Sequence, residues 1–132
     1  FELIDTSASN SKRENRQILY KTANLFIICY SISGYQSLLN IRDKWYPEIR
    51  SISMSAPIFV VGTKGGYDPD FVINPIEITR ITNGCGAQEY FTCNVMSPRE
   101  VNEIFYYFYR NFKKDRKKLL KKQIEFSYFY DF

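Results

Sequence analysis

The chain has 132 residues, 45% of them apolar and 24% charged, which suits one globular domain with one core and excludes disorder and a spanning helix. Its net charge is +4, but the run Lys113–Lys122 (KKDRKKLLKK) carries +6, so the remainder sums to −2, and a basic nucleic-acid-binding domain is excluded. Histidine is absent, which removes Ser-His-Asp and Cys-His catalysis and every His-ligated metal site.

The chain starts at Phe1 rather than Met, so its true start is expected upstream, and no basic-then-apolar leader is read there. Phe1 to Thr6 reads as a strand that stops at a polar loop. Ser7 to Arg16 is small, polar and aperiodic, and reads as a mobile loop. Asn24 to Ile32 (NLFIICYSI) is nearly continuous and apolar, the pattern of a parallel strand buried on both faces. From Tyr35 to Arg50 the apolar residues Leu38, Ile41, Trp45 and Ile49 fall on one face of a helix, which Pro47 should end or kink.

Pro57 to Val61 reads as a second buried strand running into Gly62-Thr63-Lys64, followed by a Gly-, Asp- and Pro-rich loop. Asn74-Pro75 opens a helix that Asn83-Gly84 closes. Tyr90 to Val95 is a short strand, and Ser97-Pro98-Arg99-Glu100 is a capping box for a last helix burying Val101, Ile104, Phe105, Phe108 and Phe112. The final residues, Ile124 to Phe132, are aromatic without a clear period. Cys29, Cys85 and Cys93 show no C-x-x-C spacing and read as free thiols of a reducing compartment.

Twenty-three aromatic residues could form a stacking surface, yet Phe, Tyr, Met, Ile, Asn and Lys together number 58 against 23 for Gly, Ala, Arg and Pro. That skew follows from an AT-rich coding sequence without selection for stacking, and this is the reading preferred. The basic run has two readings that stay open: attraction to anionic lipid, worth ~1 kcal/mol per cation near the surface, or the solvated last turns of a helix whose dipole suits cations.

Alternating buried strands and amphipathic helices predict a layered α/β domain with a mostly parallel sheet. Ligands in such sheets sit at the carboxyl ends of the strands, here Asp5-Thr6, Gly62-Thr63-Lys64 and Cys93-Asn94-Val95. The words LIDTSAS, NLFIICYSI, WYPEIRSISMSAP, PIFVVGTK and GAQEYFTCN, with Lys44-Trp45 before Pro47-Glu48-Ile49, resemble the Rho branch of the Ras-superfamily small GTPases. The resemblance covers about Phe1 to Phe112. It divides the chain into a partial small-GTPase domain, 1–112, and a basic, aromatic tail, 113–132.

The resemblance implies a P-loop NTPase-type fold that binds GTP or GDP with Mg²⁺ and answers to Rho-type regulators or effectors. No G-x-x-x-x-G-K-[ST] occurs in these residues. In the family that motif would precede Phe1, together with the first strand, the first helix and the first switch. The family's first strand lies between the strands matching Phe1–Asp5 and Asn24–Ile32, so the sheet is expected to lack its central strand, fold marginally and expose strand edges.

Of the family's D-x-x-G, Asp5 remains, where it would order Mg²⁺ through water; Ala8 replaces the glycine and Ser9 the water-orienting glutamine. A Cβ at position 8 obstructs approach to phosphate, and hydrolysis without the glutamine should be slow. Of the base-reading [NT]-K-x-D, Thr63 and Lys64 remain, while Gly66 replaces the aspartate. Losing that bidentate acceptor should cost several kcal/mol, at ~1.5–3 per charged hydrogen bond. Asn94, Val95 and Met96 replace the third base-contacting loop, which works partly through backbone N–H groups and so is the least damaged.

The resemblance therefore implies a guanine-nucleotide switch with binding and hydrolysis impaired, or a pseudo-GTPase scaffold, or a non-functional fragment. The family's extra insert helix is expected to be absent between Lys64 and Thr92. No C-a-a-X box follows the last cysteine, Cys93, so prenylation is not expected. The chain is expected in the cytoplasm, with weak membrane contact through Lys113, Lys114, Arg116, Lys117, Lys118, Lys121 and Lys122.

Overall fold

The computed structural model describes residues 2–65, 72–114 and 125–129, with side-chain detail for 2–65 and 72–111. The strands are β1 (Glu2–Thr6), β2 (Leu25–Ser31), β3 (Ile58–Lys64), β4 (Glu89–Asn94) and β5 (Glu125–Phe129). They form one sheet in the order β1-β5-β2-β3-β4, parallel at every pairing. The fold is thus the layered α/β architecture with a parallel sheet that the alternation of strands and helices predicts.

Strand β2 explains why the sheet is covered on both sides. Successive side chains in a strand alternate faces, and on β2 both sets are apolar. Phe26, Ile28 and Tyr30 join one core with Tyr20, Leu38, Ile41, Trp45 and Ile49. Leu25, Ile27 and Cys29 join the other with Phe59, Val61 and Phe108. The first core lies under α1 (Arg13–Tyr20) and the helix of residues 35–50; the second lies under α5 (Pro98–Lys114).

The helix of residues 35–50 is continuous but not uniform. It runs as α2 (Tyr35–Asn40), a π-helical segment (Ile41–Trp45) and α3 (Tyr46–Arg50). Pro47 brings no N–H to the ladder, and the wider π turn just before it absorbs the defect instead of ending the helix. Leu38, Ile41, Trp45 and Ile49 are all fully buried, as their spacing predicts. Helix α4 (Pro75–Gly84) starts where Asn74 and Pro75 place it: the Asn74 side chain accepts from the Ile76 N–H at 2.9 Å. Between Lys64 and Glu89 the described residues hold this one helix.

At the start of α5 the capping box is only half closed. Ser97 Oγ accepts from the Glu100 N–H at 3.4 Å, but the Glu100 carboxylate turns to the Asn94 N–H, 2.8 Å away. It ties the helix to the end of β4 rather than to its own cap.

Two expectations are corrected. Ser7 to Arg16 is not a loop throughout: a 3-10 turn (Asn10–Lys12) leads into α1, and Arg16 and Tyr20, one turn apart, are both buried. The helix was illegible because its inward residues are an arginine and a tyrosine rather than an apolar stripe. The sheet also has no gap beside β2. Strand β5, from the aromatic tail, lies between β1 and β2 and pairs with both. Helix α5 runs through Lys114. Phe112 falls where side chains are not described.

Candidate functional site

The carboxyl ends of the five strands form one edge, because all are parallel and in register: Thr6 pairs with Phe129, Ser31 with Thr63 and Lys64 with Asn94. This edge carries the residues singled out in the sequence, in two groups.

The first group stands over β3 and β4. Thr63 is buried, and its hydroxyl donates to the Tyr30 carbonyl at 3.2 Å, a bond that fixes the end of β3 against β2. Lys64 is exposed, and its carbonyl accepts from the Val95 N–H at 3.4 Å. Asn94 Oδ1 accepts from the Met96 N–H at 3.0 Å, which curls the 94–96 turn. A Cβ on Gly65 would meet Val95 Cγ2 at 3.0 Å, so glycine lets the two loops close on each other. Thr63, Lys64, Asn94 and Val95 are therefore brought together. Gly66 lies outside the described residues.

The second group follows β1. Asp5 is exposed at the strand end. The carbonyls of Ser7 and Ser9 both accept from Arg16 Nη1, the first at 2.8 Å, and the Ala8 carbonyl accepts from Lys44 Nζ at 3.0 Å. The Ser9 hydroxyl is hydrogen-bonded to Ser11 Oγ at 2.8 Å. The two cations share one support: Lys44 Nζ lies 4.2 Å and the Arg16 guanidinium 5.3 Å from the Trp45 ring centroid.

Glu48 completes this support. Its carboxylate accepts from Arg16 Nε at 2.8 Å, Arg16 Nη2 at 3.1 Å and Tyr20 Oη at 3.0 Å, with Arg13 3.6 Å away. Burial opposes the charge on Glu48, but the hydrogen bonds from Arg16 and Tyr20 prevail and hold its carboxyl below the ordinary 4.5. Arg16, Tyr20 and Glu48 were not among the residues singled out as functional. The signal was available: a basic and an aromatic residue at i and i+4 in an otherwise polar segment, with an acid three residues beyond the tryptophan. Beside them lies a cleft of about 540 Å³ lined by Asn10, Arg13, Asp43, Lys44, Pro47 and Glu48.

The two groups do not meet. Strands β5 and β2 stand between β1 and β3. At roughly 4.8 Å per strand spacing, Asp5 and Lys64 are separated by about 14 Å along the sheet edge. A guanine nucleotide is long enough to bridge that span. The phosphate end does not fit. Three successive carbonyls at 7–9 are clamped by cations, and position 8 carries a Cβ where a backbone N–H would have to approach. Among the described residues no three His, Cys, Asp or Glu side chains converge on one metal position. The residues of the basic run from Arg116 to Lys122 lie outside the described set; Lys113 and Lys114 are the last residues of α5.

Comparison with known proteins agrees with the architecture. Residues 1–114 match the model of the Ras family. The Rho-related GTP-binding protein RhoH of mouse is 33% identical over 108 residues, covering 78% of this chain and 56% of that protein. The GTP-binding protein RHO4 of Saccharomyces cerevisiae is 28% identical over 107 residues, covering 78% and 37%. The Ras-like GTP-binding protein RhoL of Drosophila melanogaster is 42% identical over 62 residues, covering 47% and 33%. The chain spans about half the length, or less, of these relatives. It belongs to the Ras family of small GTPases, on its Rho-related branch.

Proposed function

We propose that the chain acts in Rho-type signal transduction as a small-GTPase domain whose guanine-nucleotide binding and hydrolysis are impaired. The relatives are named as GTP-binding proteins, which supports the nucleotide class. The impairment is carried by one observation: the segment 7–9, which would face the phosphates, presents clamped carbonyls and the Ala8 Cβ rather than a free glycine N–H. Ser9 in place of a water-orienting side chain, and Gly66 in place of an acid, work in the same direction.

Fluorescent GDP or GTP titrated into the 132-residue chain with Mg²⁺ tests this reading. The expected result is no binding below about 10 μM, which is roughly −7 kcal/mol or weaker. Submicromolar binding with turnover would overturn it.

A second reading, a protein-binding scaffold without a nucleotide cycle, is favoured by the Arg16–Glu48–Tyr20 support. It ties the 7–9 carbonyls to the wall of the adjoining cleft through Arg16 and Glu48. The partners in either case are regulators or effectors of the Rho type, as expected of this family. The basic run is assigned to acidic lipid on the cytoplasmic side of a membrane, and sedimentation with vesicles should rise with their anionic lipid content and fall with salt.

A further inference from the structure

We propose that the outer face of α5 is a lipid-binding surface that seats the domain on an anionic bilayer, with Tyr106 and Tyr109 at the level of the headgroups. The inference rests on the lipid reading of the basic run and deepens it, because a folded surface gives the contact an orientation.

Helix α5 has two faces of different chemistry. Val101, Ile104, Phe105 and Phe108 pack into the second core, against β2, β3 and β4. The opposite face carries Asn102, Glu103, Tyr106, Tyr109 and Arg110, all exposed. Tyr106 is 60% exposed and Tyr109 39%. At i and i+3 the two rings are neighbours on the helix surface. The Arg110 guanidinium lies 5.8 Å from the Tyr106 ring centroid. A tyrosine joins an apolar ring to a polar tip, and the boundary between lipid tails and headgroups satisfies both ends.

The charge points to an anionic surface. From Ile104 to Lys114 the helix carries Arg110, Lys113 and Lys114 and no acid. Positions 106, 109, 110 and 113 share one side at 3.6 residues per turn. Glu103, at the far end of that side, is bound to Arg99 at 2.9 Å. A groove that accepts a helix takes aliphatic anchors at i, i+3 and i+4, and the exposed residues between 102 and 110 include none. Among the described residues no helix is long and apolar enough to cross a membrane, so the contact is with the bilayer surface.

Seating on α5 also fixes what points away. Helix α1 and the helix of residues 35–50 cover the other face of the sheet, so the cleft beside Arg13, Lys44 and Glu48 stays clear of the bilayer.

The test uses the full chain and vesicles of phosphatidylcholine with about 30% phosphatidylserine. The native thiols are buried, so a fluorophore can be placed on one introduced thiol. Asn102→Cys lies on the proposed face and leaves both tyrosines in place. Met54→Cys, exposed beyond the opposite helix layer, is the control. With vesicles the label at 102 should shift to the blue and be quenched by spin-labelled lipid, and the label at 54 should do neither. Tyr106→Ser/Tyr109→Ser should weaken vesicle partition at least about 5-fold and leave its salt dependence unchanged, since no charge is removed.

Sedimentation without a response at 102, or equal responses at 102 and 54, would overturn the seating on α5 and leave the lipid reading of the basic run intact. Unchanged partition of the double tyrosine variant would do the same. No sedimentation at all would overturn both. Binding to double-stranded DNA as tight as to vesicles would overturn the choice of lipid.

Discussion

Arg16 is 1% exposed, and its guanidinium serves three ends at once: the Glu48 carboxylate, the Ser7 and Ser9 carbonyls and the Trp45 ring. Removing one member of such a buried pair leaves the other charge stranded. Arg16→Met should therefore destabilise the fold by about 3–5 kcal/mol in urea denaturation. The double variant Arg16→Met/Glu48→Leu should recover most of that loss, because replacing both charges with apolar volume removes the desolvation penalty. Since the folded Glu48 carboxyl ionises below its ordinary value, the pair's stabilisation is complete above about pH 4.5. It is lost as pH falls through the depressed value. In Glu48→Gln that acid-dependent part of the stability curve should disappear.

Tyr30 is a residue-scale exception of another kind. It is 1% exposed, its hydroxyl has no hydrogen-bond partner among the described residues, and burial pushes its phenol up to about 12. A buried donor left unpaired costs ~1–3 kcal/mol, so Tyr30→Phe should be neutral or stabilising by up to about 1 kcal/mol. The ring lies where a Cβ on Gly62 would come within 2.8 Å of it, so Gly62→Ala should cost about 1–3 kcal/mol through overpacking, read from the thermal midpoint.

At the scale of the element, strands with apolar residues on both faces were easy to read. NLFIICYSI and PIFVV could only be inner strands, and β2 and β3 are buried along nearly their whole length. The 35–50 helix was legible for the same reason, since Leu38, Ile41, Trp45 and Ile49 keep their spacing through the π segment. Helix α1 was not, because its buried face is polar chemistry satisfied by a distant residue, Glu48, which no local pattern announces. Amide exchange should report α1: the N–H groups of residues 17–20 should be protected well beyond those of Met54 to Ala56, whose backbone lies in an irregular turn. Strand β5 was illegible for a different reason. Its partners lie about a hundred residues away, and five aromatic-rich residues after a basic run carry no periodic signal strong enough to locate them.

For the whole molecule, the residues singled out in the sequence fall into two groups at the carboxyl edge of the sheet, one over β3 and β4 and one after β1. The first group was found by its residues and is brought together; the clamp of Arg16 and Lys44 on the 7–9 carbonyls was not foreseen. Cys29, Cys85 and Cys93 are all buried, and burial pushes Cys29 up to about 12. An aromatic disulfide reagent should therefore find almost no reactive thiol in the folded chain and three after denaturation, which makes thiol release a convenient measure of global opening.

Among the described residues, β1 pairs in the sheet with β5. As the polypeptide emerges from the ribosome, β2, β3 and β4 can assemble before the segment that covers the β1 edge has been made. That edge is covered once residues 125–129 clear the exit tunnel. The order of synthesis and the order of assembly are thereby decoupled, and a nascent chain stalled before that point would leave the β1 edge that β5 covers open to any chaperone nearby.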